Sequence, residues 1–484
     1  MFSEKLISLL QTFSKYELNR FRKFLLSPYL NDQEDLTRLF DVVNEALRKD
    51  EYALAKLDKQ KVWKSLYPTQ SFDDAHLRRL ASDLNQMALR FMVEEHRNQN
   101  ALFEALELQK ILEKPDLSKH LNGVERRIER LLAHSEGKSS DYYFAQFQLH
   151  WNIFSRASKV VATTGYAEKL SSADFFLECY YLAQKLKLYI AWLLYRGFRV
   201  TEHEVPVMPG FWEYLQDERF ADIPLIRIYR KVILCFVESE QEIHFQEMLK
   251  DLQQFSKEIT KSDLRECYYM AQNYAALKIN QGKTEYYRKV FDIFNSMMEQ
   301  EILVENRQLP EAVFKNVITV SLGVGEYEWT EQFIQRYSEF LPVNIRENAK
   351  MFNLAYLHFY QKNYDKAIEY LRDVEYNDVV YALGAKSILL RTYYERGEML
   401  ALDSLMDSFR NYLRRNKVIS KNLKREYNNF IYLVKKLTTI TPQDKKSIAS
   451  LRRRISEASY SMPKNWLLKK IAEIEENQKS RGRG

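Results

Sequence analysis

Residues 351–372 read MFNLAYLHFYQKNYDKAIEYLR. Apolar side chains recur every three or four positions up to Tyr360, the spacing of one helix face. Gln361-Lys362-Asn363 breaks the pattern, which resumes through Ala367 and Leu371. The stretch predicts a helix ending near Lys362, a turn of about two or three residues, and a second helix from Asp365 to Arg372. Ala355 and Ala367 are small enough for the two helices to approach closely, and Leu354, Tyr364 and Leu371 fill the space between them.

Weaker copies of this unit lie on both sides. Turn laid on turn, Leu389 takes the place of Leu354, with Gly397 at its turn. Val317 does so upstream with Gly325, and Tyr274 with Gly282; the successive offsets are 35, 37 and 43 residues. The unit resembles the tetratricopeptide repeat, a helix–turn–helix of about 34 residues. Asn363-Tyr364-Asp365 followed by Ala367 matches that family's turn and the small residue opening its second helix. Met351 stands where the family has a large aromatic, and Asn363 replaces the turn glycine or follows it by one. The resemblance is best over 346–409, weak over 223–345 and absent before residue 140. It implies an all-α fold, a right-handed α-solenoid of antiparallel helix pairs preceded by an irregular N-terminal helical module. An isolated helix hairpin turning on glycine would also produce the weaker copies. The array is the reading preferred here, because pairs recur and stacking buries faces that single pairs leave exposed.

Four regions are expected. Residues 1–135 form the N-terminal module, 141–222 are helical pairs leading to the array, 223–409 are the repeats, and 410–484 are basic helices that cap it. The loop Ser135-Glu136-Gly137-Lys138-Ser139-Ser140 separates the first two, and a second break lies from Glu202 to Gly210, with Pro206 and Pro209. Within the N-terminal module Leu77, Leu80, Leu84, Met87 and Phe91 share one helix face, with Asp73 and Asp74 as N-cap candidates. Asp58 precedes a short helix carrying Val62, Trp63 and Leu66, which Pro68 stops.

Composition supports an all-helical chain. Of 484 residues only 12 are Gly and 10 Pro, while 46% are hydrophobic, which argues against disordered, collagen-like and turn-rich β chains. Glu4 and the interrupting Ser8 and Gln11 do not fit a secretory leader. The longest apolar run, Leu188 to Tyr195, is far short of the roughly 20 residues that cross a membrane, and reads as a buried helix. Three cysteines, Cys179, Cys235 and Cys267, sit in apolar helical patterns, so a reduced cytoplasmic protein is expected.

In stacks of this resemblance the first helix of each pair lines a groove. By position that places Phe352, Tyr356, Phe359 and Tyr360 there, with Arg391 and Tyr394 from the next pair and Lys315 and Thr319 from the previous one. These aromatics serve either a peptide groove or the packing between pairs. The basic and Asn clamp that some family members use for carboxylate-ended tails is not matched, because Gly384 and Ile388 stand where bases are wanted.

The C-terminal residues 410–484 hold 20 basic and 6 acidic residues, a net of +14 in a chain whose total is +7. Lys421, Lys424, Arg425, Lys435, Lys436, Arg452, Arg453 and Arg454 form a basic surface for phosphates, for an acidic partner, or simply for solvent. Eight scattered histidines show no metal-ligand spacing, and no phosphate loop or nucleophile elbow is present. No metal, cofactor or catalytic residue is expected. The leading expectation is a non-enzymatic scaffold that binds a protein or peptide partner. The alternatives are a regulator that binds nucleic acid through residues 410–484, and an enzyme whose residues converge from distant positions.

Overall fold

A computed structural model describes residues 3–49, 58–157, 166–198, 206–372, 374, 379–441, 444–456 and 463–481. The protein is all-α: 23 helices and no strand among the described residues. The chain forms two compact units, Met1–Lys187 with Pro209–Ile223, and Leu188–Met208 with Pro224–Gly484.

The first unit contains α1 (Glu4–Gln11), α2 (Lys15–Leu25), α3 (Glu34–Lys49), α4 (Lys59–Leu66), α5 (Asp74–Gln99), α6 (Ala101–Ile111), α7 (Ser118–Ala133), α8 (Ser140–Ala157), the start of α9 (Tyr166–Phe198), and α10 (Phe211–Tyr214). Ser14 and Glu17 form a reciprocal capping box that starts α2. Asp73 accepts the His76 N–H at 2.9 Å and starts α5. The core of α1–α5 gathers around Phe21, whose ring meets Phe40 at 5.0 Å and Phe91 at 5.3 Å. A second cluster joins α6, α7 and α8 through Leu106, Ile128 and Leu149.

The second unit holds α11 (Pro224–Val237), α12 (Glu242–Gln254), α13 (Lys261–Asn280), α14 (Tyr286–Glu299), α15 (Glu311–Gly323), α16 (Tyr327–Tyr337), α17 (Val343–Tyr360), α18 (Tyr364–Arg372), α19 (Val379–Arg396), α20 (Met399–Arg415), α21 (Lys421–Thr439), α22 (Lys445–Ser456) and α23 (Lys464–Arg481). Consecutive helices pack as pairs, α11 on α12 through α19 on α20, and each second helix also meets the first helix of the next pair. First helices touch as well: α11 meets α13, α15 meets α17, and α17 meets α19. The predicted packing of α17 on α18 has Leu354, Ala355, Ala367 and Leu371 at most 1% exposed.

Four turns share one backbone device. Gly282, Gly325, Lys362 and Gly397 lie in the left-handed region, at φ of 93°, 84°, 61° and 71°. In each case the next residue's N–H reaches back five residues. Lys283 donates to Lys278 O, Glu326 to Ser321 O, Asn363 to His358 O and Glu398 to Tyr393 O, at 2.8–3.0 Å. This is the Schellman closure, which satisfies carbonyls that the helix end leaves open. Lys362 therefore takes the glycine place, and Asn363 follows it by one.

One expectation is corrected. Over residues 188–194 the apolar run is not a wholly buried helix: Ile190 is buried, but Leu188 is 58% exposed. An unbroken apolar run of two turns presents side chains all round its helix, and some of them face outward.

Candidate binding cavity

The second unit contains a cavity of about 580 Å³ that collects residues from α13–α15, α17, α19, α21 and the start of α23. On α17, Phe352, Tyr356 and Tyr360 line it at i, i+4 and i+8, one stripe of the helix. On α19, Gly384, Ser387, Ile388 and Arg391 line it at i, i+3, i+4 and i+7. Lys315 and Thr319 enter from α15. Six of the eight groove candidates thus share one cavity; Phe359 is not among its lining residues and is buried, 7% exposed. Tyr394 is not among its lining residues; its ring packs edge-on to Trp466 at 5.4 Å.

The aromatic wall is continuous. Phe352 and Tyr356 stack at 6.5 Å, Tyr356 and Tyr360 meet edge-on at 5.1 Å, and their hydroxyls are 3.5 Å apart. Burial, with Tyr356 beside it, pushes the Tyr360 phenol well above its usual pKa. Phe352 also meets Tyr381 edge-on at 5.4 Å. Lys315 pairs with Glu311 one turn back and lies 4.4 Å from the Tyr381 ring centre, while the Tyr381 hydroxyl donates to Glu311 at 2.8 Å. Burial works to raise the Glu311 pKa, but the bonds from Lys315 and Tyr381 outweigh it and hold the carboxyl below its usual range.

The charge balance of the cavity is one-sided. Among the described residues Lys315, Arg391 and Lys464 line it, and no Asp or Glu does. Arg391 is only 4% exposed. Its Nε donates to Ser387 O at 3.3 Å, and its guanidinium carbon lies 4.6 Å from the Phe359 ring centre and 5.5 Å from that of Tyr356. Among the described residues it makes no ion pair, and its two terminal nitrogens make no hydrogen bond. Glu395, one turn further along α19, is held elsewhere. It accepts from Trp466 Nε1 at 2.6 Å and from Lys470 Nζ at 2.7 Å. A ring contact contributes about 2 kcal/mol or somewhat more to a desolvated cation, whereas burying an uncompensated charge costs roughly several kcal/mol. The arrangement leaves a cation short of a counterion.

A smaller cavity of about 260 Å³ shares Tyr360, Arg391, Asn465 and Trp466, and adds Glu395, Lys470 and Glu473. The sequence reading missed the contribution of residues 463–466 to both cavities, because no local pattern brings a C-terminal tryptophan back to α19. Gly384 carried a usable signal: a glycine inside a helix marks a close approach.

On the basic surface, Lys435 pairs with Asp403 at 2.7 Å and Arg452 with Glu475 at 2.6 Å. Arg454 donates to Asn429 at 3.0 Å and lies 4.3 Å from the Tyr432 ring centre; Lys436 reaches the same ring. Lys421, Arg425 and Arg453 are exposed and Lys424 is half-buried.

Comparison of the chain with protein-family models, with curated proteins and with solved structures yields no match in any of the three. Among the described residues no helix is long and apolar enough to cross a membrane.

Proposed function

We propose that the second unit is a tetratricopeptide-like α-solenoid, and that the protein is a binding scaffold holding a segment of a partner protein against its first helices. The observation that carries this reading is the shared cavity. Lys315 and Thr319, Phe352, Tyr356 and Tyr360, and Arg391 come from the first helices of three consecutive pairs and line one space. Its volume suits a few side chains of a bound segment. Repeated pairing and the recurring turn at 282, 325, 362 and 397 support the solenoid assignment. Affinity purification of the full chain from its native host, beside Tyr356→Ala and Thr319→Arg variants, tests the reading. A partner retained by the wild type and lost from both folded variants is the expected result. Specific partners that survive both substitutions would remove the groove from the account.

The second reading is nucleic-acid association through residues 410–484, and it rests on exposed Lys421 and Arg425. Internal pairing of Lys435 and Arg452 weakens it. DNA and RNA binding at two salt concentrations decides it, since phosphate contacts weaken steeply as salt rises.

A further inference from the structure

We infer that the segment held in this cavity carries an anionic group, a carboxylate or a phosphate ester, and that Arg391 is its counterion. The inference rests on the partner-segment reading above and adds the chemistry of recognition to it.

Three observations converge. Arg391 is 4% exposed and lines the cavity, yet it has no ion pair among the described residues. Its Nε is spent on Ser387 O, and the rings of Phe359 and Tyr356 fix its position. The two terminal nitrogens are thereby left for a bidentate acceptor, the geometry in which guanidinium binds carboxylate and phosphate. Second, the carboxylate best placed to neutralise it, Glu395, is taken by Trp466 and Lys470. Third, the lining has no acidic residue among the described residues, and beside Arg391 it includes Lys315, which Glu311 neutralises from outside the lining, together with Lys464 and the tyrosines Tyr287, Tyr356, Tyr360 and Tyr427. A neutral ligand would leave the guanidinium uncompensated, and a cationic one would face repulsion. Arg391 lies one turn beyond Ile388, so the site is not the clamp whose positions Gly384 and Ile388 leave empty.

The probes are four pools of nonapeptides, degenerate in non-acidic residues, acetylated and carrying a fixed central residue. Three are C-terminally amidated, with Asp, Asn or phosphoserine at the centre; the fourth has Asn and a free C-terminal carboxylate. Binding is measured with the full-length wild type, Arg391→Gln and Arg391→Lys, and circular dichroism checks that each variant is folded. At least one anionic pool should bind about tenfold or more tightly than the neutral pool, and which of them does so identifies the source of the anion. Arg391→Gln should abolish that preference, and Arg391→Lys should keep part of it. Should the glutamine variant not fold, the wild-type ranking and the lysine variant carry the test. Equal binding of all four pools overturns the anion inference and leaves the peptide groove standing. If no pool binds but inorganic phosphate raises the melting temperature of the wild type by more than that of Arg391→Lys, the anion site stands and the peptide reading falls. No response to any pool or to phosphate removes both.

Discussion

Gly384 of α19 faces the Phe352 ring of α17 so closely that a Cβ at position 384 would lie 2.7 Å from Phe352 Cε2. That glycine is the space into which an aromatic of the cavity wall fits. Alanine in its place forces the ring to shift from its present position, where it meets Tyr381 edge-on. An alanine inside a helix is otherwise about 1 kcal/mol better than glycine. Disruption of the edge-on pair and of the packing around it opposes that gain by about as much or more. Gly384→Ala is therefore expected to be neutral or destabilising in the wild type, but stabilising by about 1 kcal/mol in a Phe352→Ala background. Urea denaturation of the four chains measures the coupling; additive effects would remove the close approach from the explanation.

The repeated turn makes a second prediction. Lys362 adopts the conformation that Gly282, Gly325 and Gly397 adopt at the equivalent places. A side chain in the left-handed region costs about 1–2 kcal/mol, and glycine's extra freedom in the unfolded chain returns part of it. Lys362→Gly should thus stabilise by about 0.5 kcal/mol, and Gly325→Ala, with open space around it, should destabilise by about 1 kcal/mol. Denaturation midpoints of the two variants should move in opposite directions.

A cation held for a ligand differs from one held for the fold in what its removal costs. Without ligand, Arg391→Met keeps the stem and removes the charge. Relieving an unpaired buried charge outweighs the attraction between the guanidinium and its two rings. The variant should therefore be as stable as the wild type or more so, by about 1 kcal/mol. A loss above about 1 kcal/mol on denaturation would mark the guanidinium as structural.

His358 ties stability to pH. It is 6% exposed, stacks on Tyr370 at 5.3 Å and bonds Gln361 at 2.9 Å through Nδ1. Burial lowers its pKa below 6.5. The folded chain then binds fewer protons than the unfolded one below that value. The contribution is fully present above 6.5 and is lost as pH falls through the depressed folded pKa. His358→Phe should flatten part of the acid-side decline, read as the difference between wild-type and variant midpoints at about pH 7.5 and about pH 5.5.

The cysteines should be silent in the native state. Cys179, Cys235 and Cys267 are buried and form no disulfide among the described residues, and burial pushes the Cys179 and Cys235 thiols up to about 12. A thiol reagent should label the three only on unfolding, since the thiolate is the reactive form. Rapid labelling of native protein would contradict this burial.

Much of the helical framework was legible because its determinants are local. The periodicity of residues 351–360, the Asp73 cap and the turn glycines at 282, 325 and 397 each act within one or two helical turns, and hydrogen bonds of that reach are written in neighbouring residues. Helical spacing even named six of the residues that line the cavity, Lys315, Thr319, Phe352, Tyr356, Tyr360 and Arg391.

What tertiary structure alone decided is the state of Arg391. Glu395 stands four residues further along α19, a spacing at which helix side chains meet. The folded chain gives that carboxylate to Trp466 and Lys470, which are 71 and 75 residues away along the chain. Competition for one carboxylate depends on which distant side chains arrive beside it, and helical periodicity carries no record of that.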